Sequence, residues 1–262
     1  MHRKILKPQI MLIQITNQCD NNCPHCLHNS VINGGHISLE IFDKALLLAK
    51  EMQVGVIVIS GGEPFMHPHI YELCKRITKP FMICSNGNFI KNPFLKRVAL
   101  SISHLPNYMG LQVTSTKELY PNYWDIRKRL REFNDIPGVR LCMDINIYIK
   151  NLGRAERYPI NKTYPAPSCI NGHLVFKQTK TFAEAGEEFN KKGIFCHPLV
   201  DWQGNIHLSE SWLCPSIGNV NTPYDILLQK LHDTPPCKKC KNWKVFEQMN
   251  KFKKVIELVQ NK

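Results

Sequence analysis

Three cysteines lie within eight residues near the start of this chain: Cys19, Cys23 and Cys26, spaced C-x3-C-x2-C directly after an apolar run from Ile10 to Thr16. Thiolates this close on one loop can converge on a single metal centre. There are only three of them, and a [4Fe–4S] cube held by three thiolates keeps one iron open to a further ligand. Two plainer readings stand beside this one: a structural zinc site short of one ligand, and three unrelated buried thiols. A second group follows at Ser60-Gly61-Gly62-Glu63-Pro64. Its glycines allow the backbone close approach to a ligand, and Glu63 supplies an acceptor for an ammonium group; the plainer reading is a strand-to-helix turn. Further cysteines stand at Cys169, Cys196 and Cys214, and then as Cys237-Lys-Lys-Cys240 behind a Pro-Pro turn. In an intracellular chain a C-x2-C pair reads as metal ligands, and a zinc site built from Cys237, Cys240 and two partners is one way to use it.

The elements that must position these groups follow from apolar patterning. Gln9 to Thr16 reads as a buried strand, with Gln14 and Thr16 on the face opposite Ile13 and Ile15. Ser38 can cap a helix through Met52, whose apolar stripe is Phe42, Ala45, Leu46, Ala49 and Met52. Gly55 to Ile59 is short, β-branched and uninterrupted, as in a central parallel strand buried on both faces. Pro68 to Ile77 reads as a second helix, and Pro80 to Cys84 as a third strand ending at Ser85-Asn86-Gly87. Pro93 to Ser103 reads as helix, Leu111 to Ser115 as the fourth strand, and Tyr123 to Phe133 as a basic helix with a solvated face. Val139 to Tyr148 alternates: Cys142, Asp144, Asn146 and Tyr148 share one face, and Leu141, Met143, Ile145 and Ile147 share the other. Helices on one side and a lumen on the other would turn the polar set inward, so that Asp144, Asn146 and Tyr148 line a cavity; an exposed edge strand has the same pattern. Strands alternating with helices predict parallel βαβ units. Active sites of barrels built from such units lie at the C-terminal strand ends, where the cysteine loop, Gly61-Gly62-Glu63-Pro64 and Ser85-Asn86-Gly87 all fall.

After Lys150 the pattern changes, and a domain boundary is expected between Asn151 and Ser168. Leu199 to Leu208 reads as a hairpin turning at Gln203-Gly204-Asn205, followed by Ile217 to Val220 and a helix from Pro223 to Leu231. The last helix, Trp243 to Gln260, aligns Phe246, Met249, Phe252, Val255, Ile256 and Val259, which is packing.

At 262 residues, 43% hydrophobic and 21% charged, the chain has ample material for one α/β domain with a small appendage. It contains no apolar run of the roughly 18 residues a membrane span needs. Its basic N-terminus leads into a strand with no signal-peptide cleavage pattern, so the expected location is the cytoplasm. For that reason the eleven cysteines read as ligands and buried thiols, Cys74, Cys84 and Cys142 among the latter, and not as disulfides. The formal charge is +13; two bound clusters would leave about +10, which favours an anionic partner such as nucleic acid, nucleotide or acidic peptide. The lysines are spread along the chain, however, and no nucleic-acid-binding module is recognisable.

The spacing of Cys19, Cys23 and Cys26 after a first strand, followed by Gly61-Gly62-Glu63-Pro64 after a second, resembles the radical S-adenosylmethionine (SAM) superfamily over about Ile10 to Tyr148. The resemblance implies a partial (β/α)6 TIM-like barrel within residues 1–155. It also implies that the three cysteines hold a [4Fe–4S] cluster whose open iron is chelated by the amino and carboxylate groups of SAM, with Gly61, Gly62, Glu63 and Pro64 contacting the amino group. Ser85-Asn86-Gly87 stands where the family has a Thr-Asn-Gly-like turn, the serine keeping the hydroxyl. Thr114 and Ser115 fall where the family places polar contacts to the ribose or the methionine carboxylate. His25 replaces an aromatic that packs near the adenine.

Residues 156–262 are similar to the Twitch and SPASM extensions of that family, in which a cysteine before a hairpin, one after it and a late C-x2-C complete an auxiliary [4Fe–4S] cluster. On this match the ligands are Cys196, Cys214, Cys237 and Cys240, and the shorter Twitch form fits the cysteine count. Cys169 is left as a substitute ligand, a catalytic thiol or an inert one, and His197 and His207 as polar neighbours. The implied activity is cleavage of SAM to a 5′-deoxyadenosyl radical that takes hydrogen from a substrate, for oxidation or bond formation on a peptide or small molecule, with an external flavodoxin or ferredoxin as electron donor. With the first strand starting near residue 9, no leader-binding domain is expected ahead of it. Radical modification of a nucleotide or nucleic acid is the rival in view of the charge. A non-catalytic zinc or iron–sulfur protein is the other, and would be expected to show a broken Gly61–Pro64 segment.

Overall fold

The computed structural model describes residues 10–23, 26, 28–88, 93, 109–114, 124–125, 128, 139–144, 149–150, 163–164, 198–207 and 216–233. Its centre is β1 (Ile10–Thr16), a strand with no charged side chain and six buried residues in succession. On one side β1 pairs in parallel with β2 (Val56–Gly61), then β3 (Phe81–Ser85), β4 (Met109–Thr114) and β5 (Val139–Asp144). A separate two-stranded sheet joins β6 (Ile149–Lys150) and β7 (Thr163–Tyr164).

On its other side β1 pairs in parallel with β8 (Leu199–Val200), the first strand of a hairpin continued by β9 (Asn205–His207) and β10 (Ser216–Asn219). The hairpin that the sequence places in the tail therefore extends the main sheet, with Leu12 opposite Leu199 and Ile13 opposite Val200. Asp201 fixes its turn by accepting from the Gln203 and Asn205 N–H groups at 2.9 and 2.8 Å. The sheet is α/β in character, with six adjacent parallel strands, as expected for a partial barrel.

Helices cover one face. In α1 (Leu39–Glu51) the Ser38 hydroxyl accepts from the Ile41 N–H at 3.1 Å, as the sequence signals, and Phe42, Ala45, Leu48 and Ala49 are buried. Leu46, assigned to the stripe from sequence, packs part-buried against the core, and Leu48, outside that stripe, is buried with it. These residues, together with α2 (Ile70–Arg76), pack on Met11, Ile13, Ile15, Ile57, Ile59, Phe81, Ile83 and Leu111. The opposite, inner face carries a separate cluster of Leu12, Val58 and Leu199, with Ile10, Met82 and Cys84 against it. Cys74 is fully buried as expected, while Cys84 is only part-buried. A last helix, α3 (Tyr224–Asp233), sends Leu227 into the core beside Ile217. Among the described residues no helix is long and apolar enough to cross a membrane.

Pro93, Trp124, Asp125 and Lys128 have helical backbone, in line with the two helices expected there. The remainder of those helices, the domain boundary and the Trp243–Gln260 helix lie outside the described residues.

Candidate functional site

Three loops meet at the C-terminal ends of β1, β2 and β3. The first carries the cysteines and is anchored by its backbone. Asn17 N–H donates to the Gly35 carbonyl (2.8 Å), Cys19 N–H to Val31 (2.9 Å) and Val31 N–H to Asn17 (3.0 Å). The Cys26 sulfur accepts from the Ser30 N–H at 3.4 Å.

The second loop is the glycine-rich turn, and the close approach its glycines make is to this chain's own backbone. Gly62 N–H donates to the Thr16 carbonyl (2.7 Å) and Glu63 N–H to the Gln18 carbonyl (2.8 Å). A Cβ at Gly62 would stand 2.0 Å from the Gln18 carbonyl oxygen. One at Gly61, whose φ is +135°, would stand 2.2 Å from that of Thr16. Any side chain at either position would push the turn off the cysteine loop.

Glu63 then ties the second loop to the third. It is wholly buried. One carboxylate oxygen accepts from the Phe65 N–H (3.0 Å) and the Ser85 hydroxyl (2.9 Å), the other from the Asn86 N–H (2.7 Å). Burial pushes its carboxyl group up from 4.5 to about 7, against the pull of those three donors. About one lone-pair site of the carboxylate remains for a further donor.

The third loop closes back on the first through Asp20. Its two oxygens accept from the side-chain amides of Asn86 and Asn88, each at 2.7 Å, and Asn88 reaches the Asn21 carbonyl oxygen at 3.2 Å. Asp20 and Asn88 are the site residues that sequence reasoning missed; Asp20 lies inside the cysteine motif, the one signal that could have pointed to it.

The three cysteines share this loop and are part-exposed, yet among the described residues no three His, Cys, Asp or Glu side chains are gathered in metal-holding geometry. The donor set nevertheless fits a cationic, thiophilic group. Burial first, and then the charges of Asp20, Glu63 and Cys23, push the Cys19 thiol up to about 12, while a backbone hydrogen bond from Asn21 pulls it down. A thiolate there needs a positive partner such as iron.

Of the other residues expected at the site, Thr114 lies opposite Asp144 in register, and Gln112 opposite Cys142. These positions alternate with Leu111, which is buried against the helices, so they fall on the inner face. Ser115, Asn146, Tyr148, His25, Cys169, Cys196, His197, Cys214, Cys237 and Cys240 lie outside the described residues. His207 is held by Asp201 at 3.3 Å, in the hairpin turn.

The sequence profile of the radical SAM superfamily matches residues 13–149. A probable GTP 3′,8-cyclase of Methanothermobacter thermautotrophicus is 30% identical over 84 residues, 30% of this chain and 28% of that protein. The antilisterial bacteriocin subtilosin biosynthesis protein AlbA of Bacillus subtilis is 30% identical over 87 residues, 32% of this chain and 19% of that protein. The matched span thus covers less than a third of either curated relative. Among solved structures, BtrN in complex with AdoMet and 2-DOIA superposes with a TM-score of 0.55 at 13% identity, over 89% of this chain and 93% of that one. Native anSMEcpe with bound AdoMet and the Cp18Cys peptide gives 0.52 at 13% identity, over 97% and 99%.

Proposed function

Because the chain belongs to the radical SAM superfamily, whose members are enzymes that bind SAM and a [4Fe–4S] cluster, we propose that it cleaves SAM reductively and uses the resulting 5′-deoxyadenosyl radical to take hydrogen from a peptide or a small biosynthetic intermediate. The observation that carries this reading is the three-loop junction, in which Glu63 and Asp20 bind the cysteine loop, the glycine-rich turn and the end of β3 into one unit.

In this reading Cys19, Cys23 and Cys26 hold the cluster, which, when bound with SAM, supplies the electron transfer and radical chemistry. Everything else is positioning by the chain. Gly61, Gly62, Glu63 and Pro64 present the turn that meets the methionine amino group, and Ser85 and Asn86 fix that turn against the cysteine loop. Thr114 and Ser115 offer polar contacts to the remainder of SAM, and Asp144, Asn146 and Tyr148 face the substrate.

A second, auxiliary [4Fe–4S] cluster on Cys196, Cys214, Cys237 and Cys240 belongs to the same proposal, as does an external flavodoxin- or ferredoxin-type electron donor. Support for a peptide or neutral small molecule comes from the inner face. Positions 10, 12 and 14 of β1, 58 and 60 of β2, and 82 and 84 of β3 carry no charge. The nucleotide alternative has in its favour the likeness to a probable GTP cyclase and the charge of +13, but this half of the inner face offers no cation to a polyphosphate.

Anaerobic reconstitution followed by iron counting and a SAM-cleavage assay tests the reading. About eight irons per chain and formation of 5′-deoxyadenosine are expected, falling to about four irons when Cys196 and Cys214 become alanine. Bound zinc with no cleavage would leave a non-catalytic metal protein instead.

A further inference from the structure

Where β1 meets the cysteine loop, Gln14 Oε1, Asn17 Oδ1 and Asn21 Nδ2 are buried side-chain atoms without a hydrogen-bond partner. A buried acceptor left unpaired destabilises the ligand-free protein, and native chains keep such groups where something else completes them. Gln14 is the deepest of the three, 1% exposed. It lies on the inner face, since Ile13 and Ile15 on either side of it belong to the helix-covered core. Its register partner is Ser60, and its side chain lies against Gly61, the first residue of the glycine-rich turn. Next along the same face comes the apolar cluster of Leu12, Val58 and Leu199, with Ile10, Met82 and Cys84. An unpaired buried acceptor therefore sits between an apolar cluster and the three-loop junction.

We infer that Gln14 accepts a hydrogen bond from the substrate, and that the part of the substrate reaching this depth is neutral, mostly apolar and carries one N–H or O–H donor. This rests on the reading above, in which the inner face holds the substrate. The order of groups along β1 sets the match: the apolar stem lies against Leu12 and Val58, and the donor meets Gln14 directly below the turn at Gly61. A carboxylate or phosphate reaching this depth would meet only the neutral Gln14 amide and Ser60 hydroxyl, with no cation on the inner positions of β1, β2 or β3 to offset the burial of its charge. The same chemistry has two sources, the substrate or SAM itself, and the experiment separates them.

Three matched probes are offered to the reconstituted, SAM-bound protein and followed by saturation-transfer NMR: N-tert-butylacetamide, tert-butyl acetate and trimethylacetate. They share an apolar stem and differ in carrying an N–H donor, no donor, or a negative charge. Wild type should favour the amide over the ester by about tenfold and reject the anion, and Gln14→Leu should erase the amide's advantage. Gln14→Leu should also raise the melting temperature of the ligand-free protein, because the unpaired acceptor is gone. Equal binding of amide and ester to wild type, or discrimination that persists in Gln14→Leu, would overturn the inference. So would a lowered melting temperature, which would mean that the amide is partnered within the fold. A tenfold loss of SAM affinity in Gln14→Leu would assign the donor to SAM and overturn the assignment to substrate. Failure of wild type to take up iron or bind SAM would instead refute the parent reading, and the probe and melting comparisons repeated on metal-free protein would still report on Gln14.

Discussion

Glu63→Gln separates the two things the Glu63 carboxyl group does, which are to accept three hydrogen bonds and to be an acid in a buried place. Gln offers one acceptor oxygen where the carboxylate offers two. Whichever way its amide turns, either the Asn86 N–H or the Phe65 N–H faces an NH2 group, and one orphaned backbone donor costs roughly 1–3 kcal/mol. Against this stands the relief of burial. The acid titrates at about 7 when folded and at 4.5 ordinarily. A gap of about 2.5 pH units at about 1.4 kcal/mol each makes the ionised group unfavourable in the folded protein by about 3 kcal/mol.

Between pH 4.5 and 7 the unfolded chain has lost this proton while the folded chain keeps it, so wild-type stability falls as pH rises through that window and levels off above it. The glutamine variant has no proton to lose. Metal-free Glu63→Gln should therefore be less stable than wild type by about 1–3 kcal/mol at pH 4.5 and should equal or exceed it at pH 8. Urea unfolding midpoints measured for both proteins at half-unit steps from pH 4.5 to 8, with the slopes compared, read this directly. Parallel profiles would refute the reasoning, because they would mean that the three donors outweigh burial and keep Glu63 ionised throughout.

His67 predicts the opposite arm. It is buried, its Nδ1 accepts from the His69 N–H at 3.0 Å and its Nε2 donates to the Ile37 carbonyl at 3.1 Å, and burial lowers it from 6.5 to about 4. The unfolded chain takes up this proton first, so stability should fall by about 3 kcal/mol as pH drops from 6.5 through 4, and His67→Gln should flatten that fall in the same urea assay. Gly62→Ala brings a Cβ within 2.0 Å of the Gln18 carbonyl oxygen. At an overpacking cost of roughly 1–3 kcal/mol, it should lower the melting temperature and iron uptake, whereas Ser38→Ala, which loses only a helix cap, should cost about 1 kcal/mol of stability and leave iron uptake unchanged. Asp20→Ala removes both 2.7 Å amide contacts; a loss of about 1 kcal/mol in loop closure should make iodoacetamide label the metal-free cysteine loop about fivefold faster, read by mass spectrometry.

The described elements before Asn88 and the tail hairpin were legible because each is specified locally. β1 and β2 are mostly apolar runs bounded by polar loops, α1 begins at a serine that caps it, and the hairpin of β8 and β9 turns on a Gln-Gly-Asn step. Even there the α1 stripe missed Leu48, because the edges of a helix's buried face are set by the partner surface and not by the helix alone. The attachment of the hairpin was not legible. β8 is two residues long, and pairing Leu199 with Leu12 joins segments from opposite ends of the chain that carry no local mark of one another.

The site divides along the same line. Residue types announced the cysteine loop, the glycine-rich turn and the Ser-Asn-Gly end of β3, and the structure brings all three together. What one sequence could not announce is how they hold each other. From sequence alone, glycines beside a glutamate suggest room for a ligand. In the fold that room is filled by the Thr16 and Gln18 carbonyls, and the glutamate spends three of its lone pairs on Phe65, Ser85 and Asn86. A turn that reads as a binding motif is thus first a joint, and it must be a joint if it is to bind. Among its described residues the cysteine loop has neither helix nor strand, and burial holds its Cys19 thiol against ionisation. Docking it to two strand ends through Gly62, Glu63 and Asp20 removes much of its conformational freedom before any cation arrives. Gln14 Oε1 is left unpaired beside that junction, whose Phe65, Ser85 and Asn86 donors are committed to Glu63.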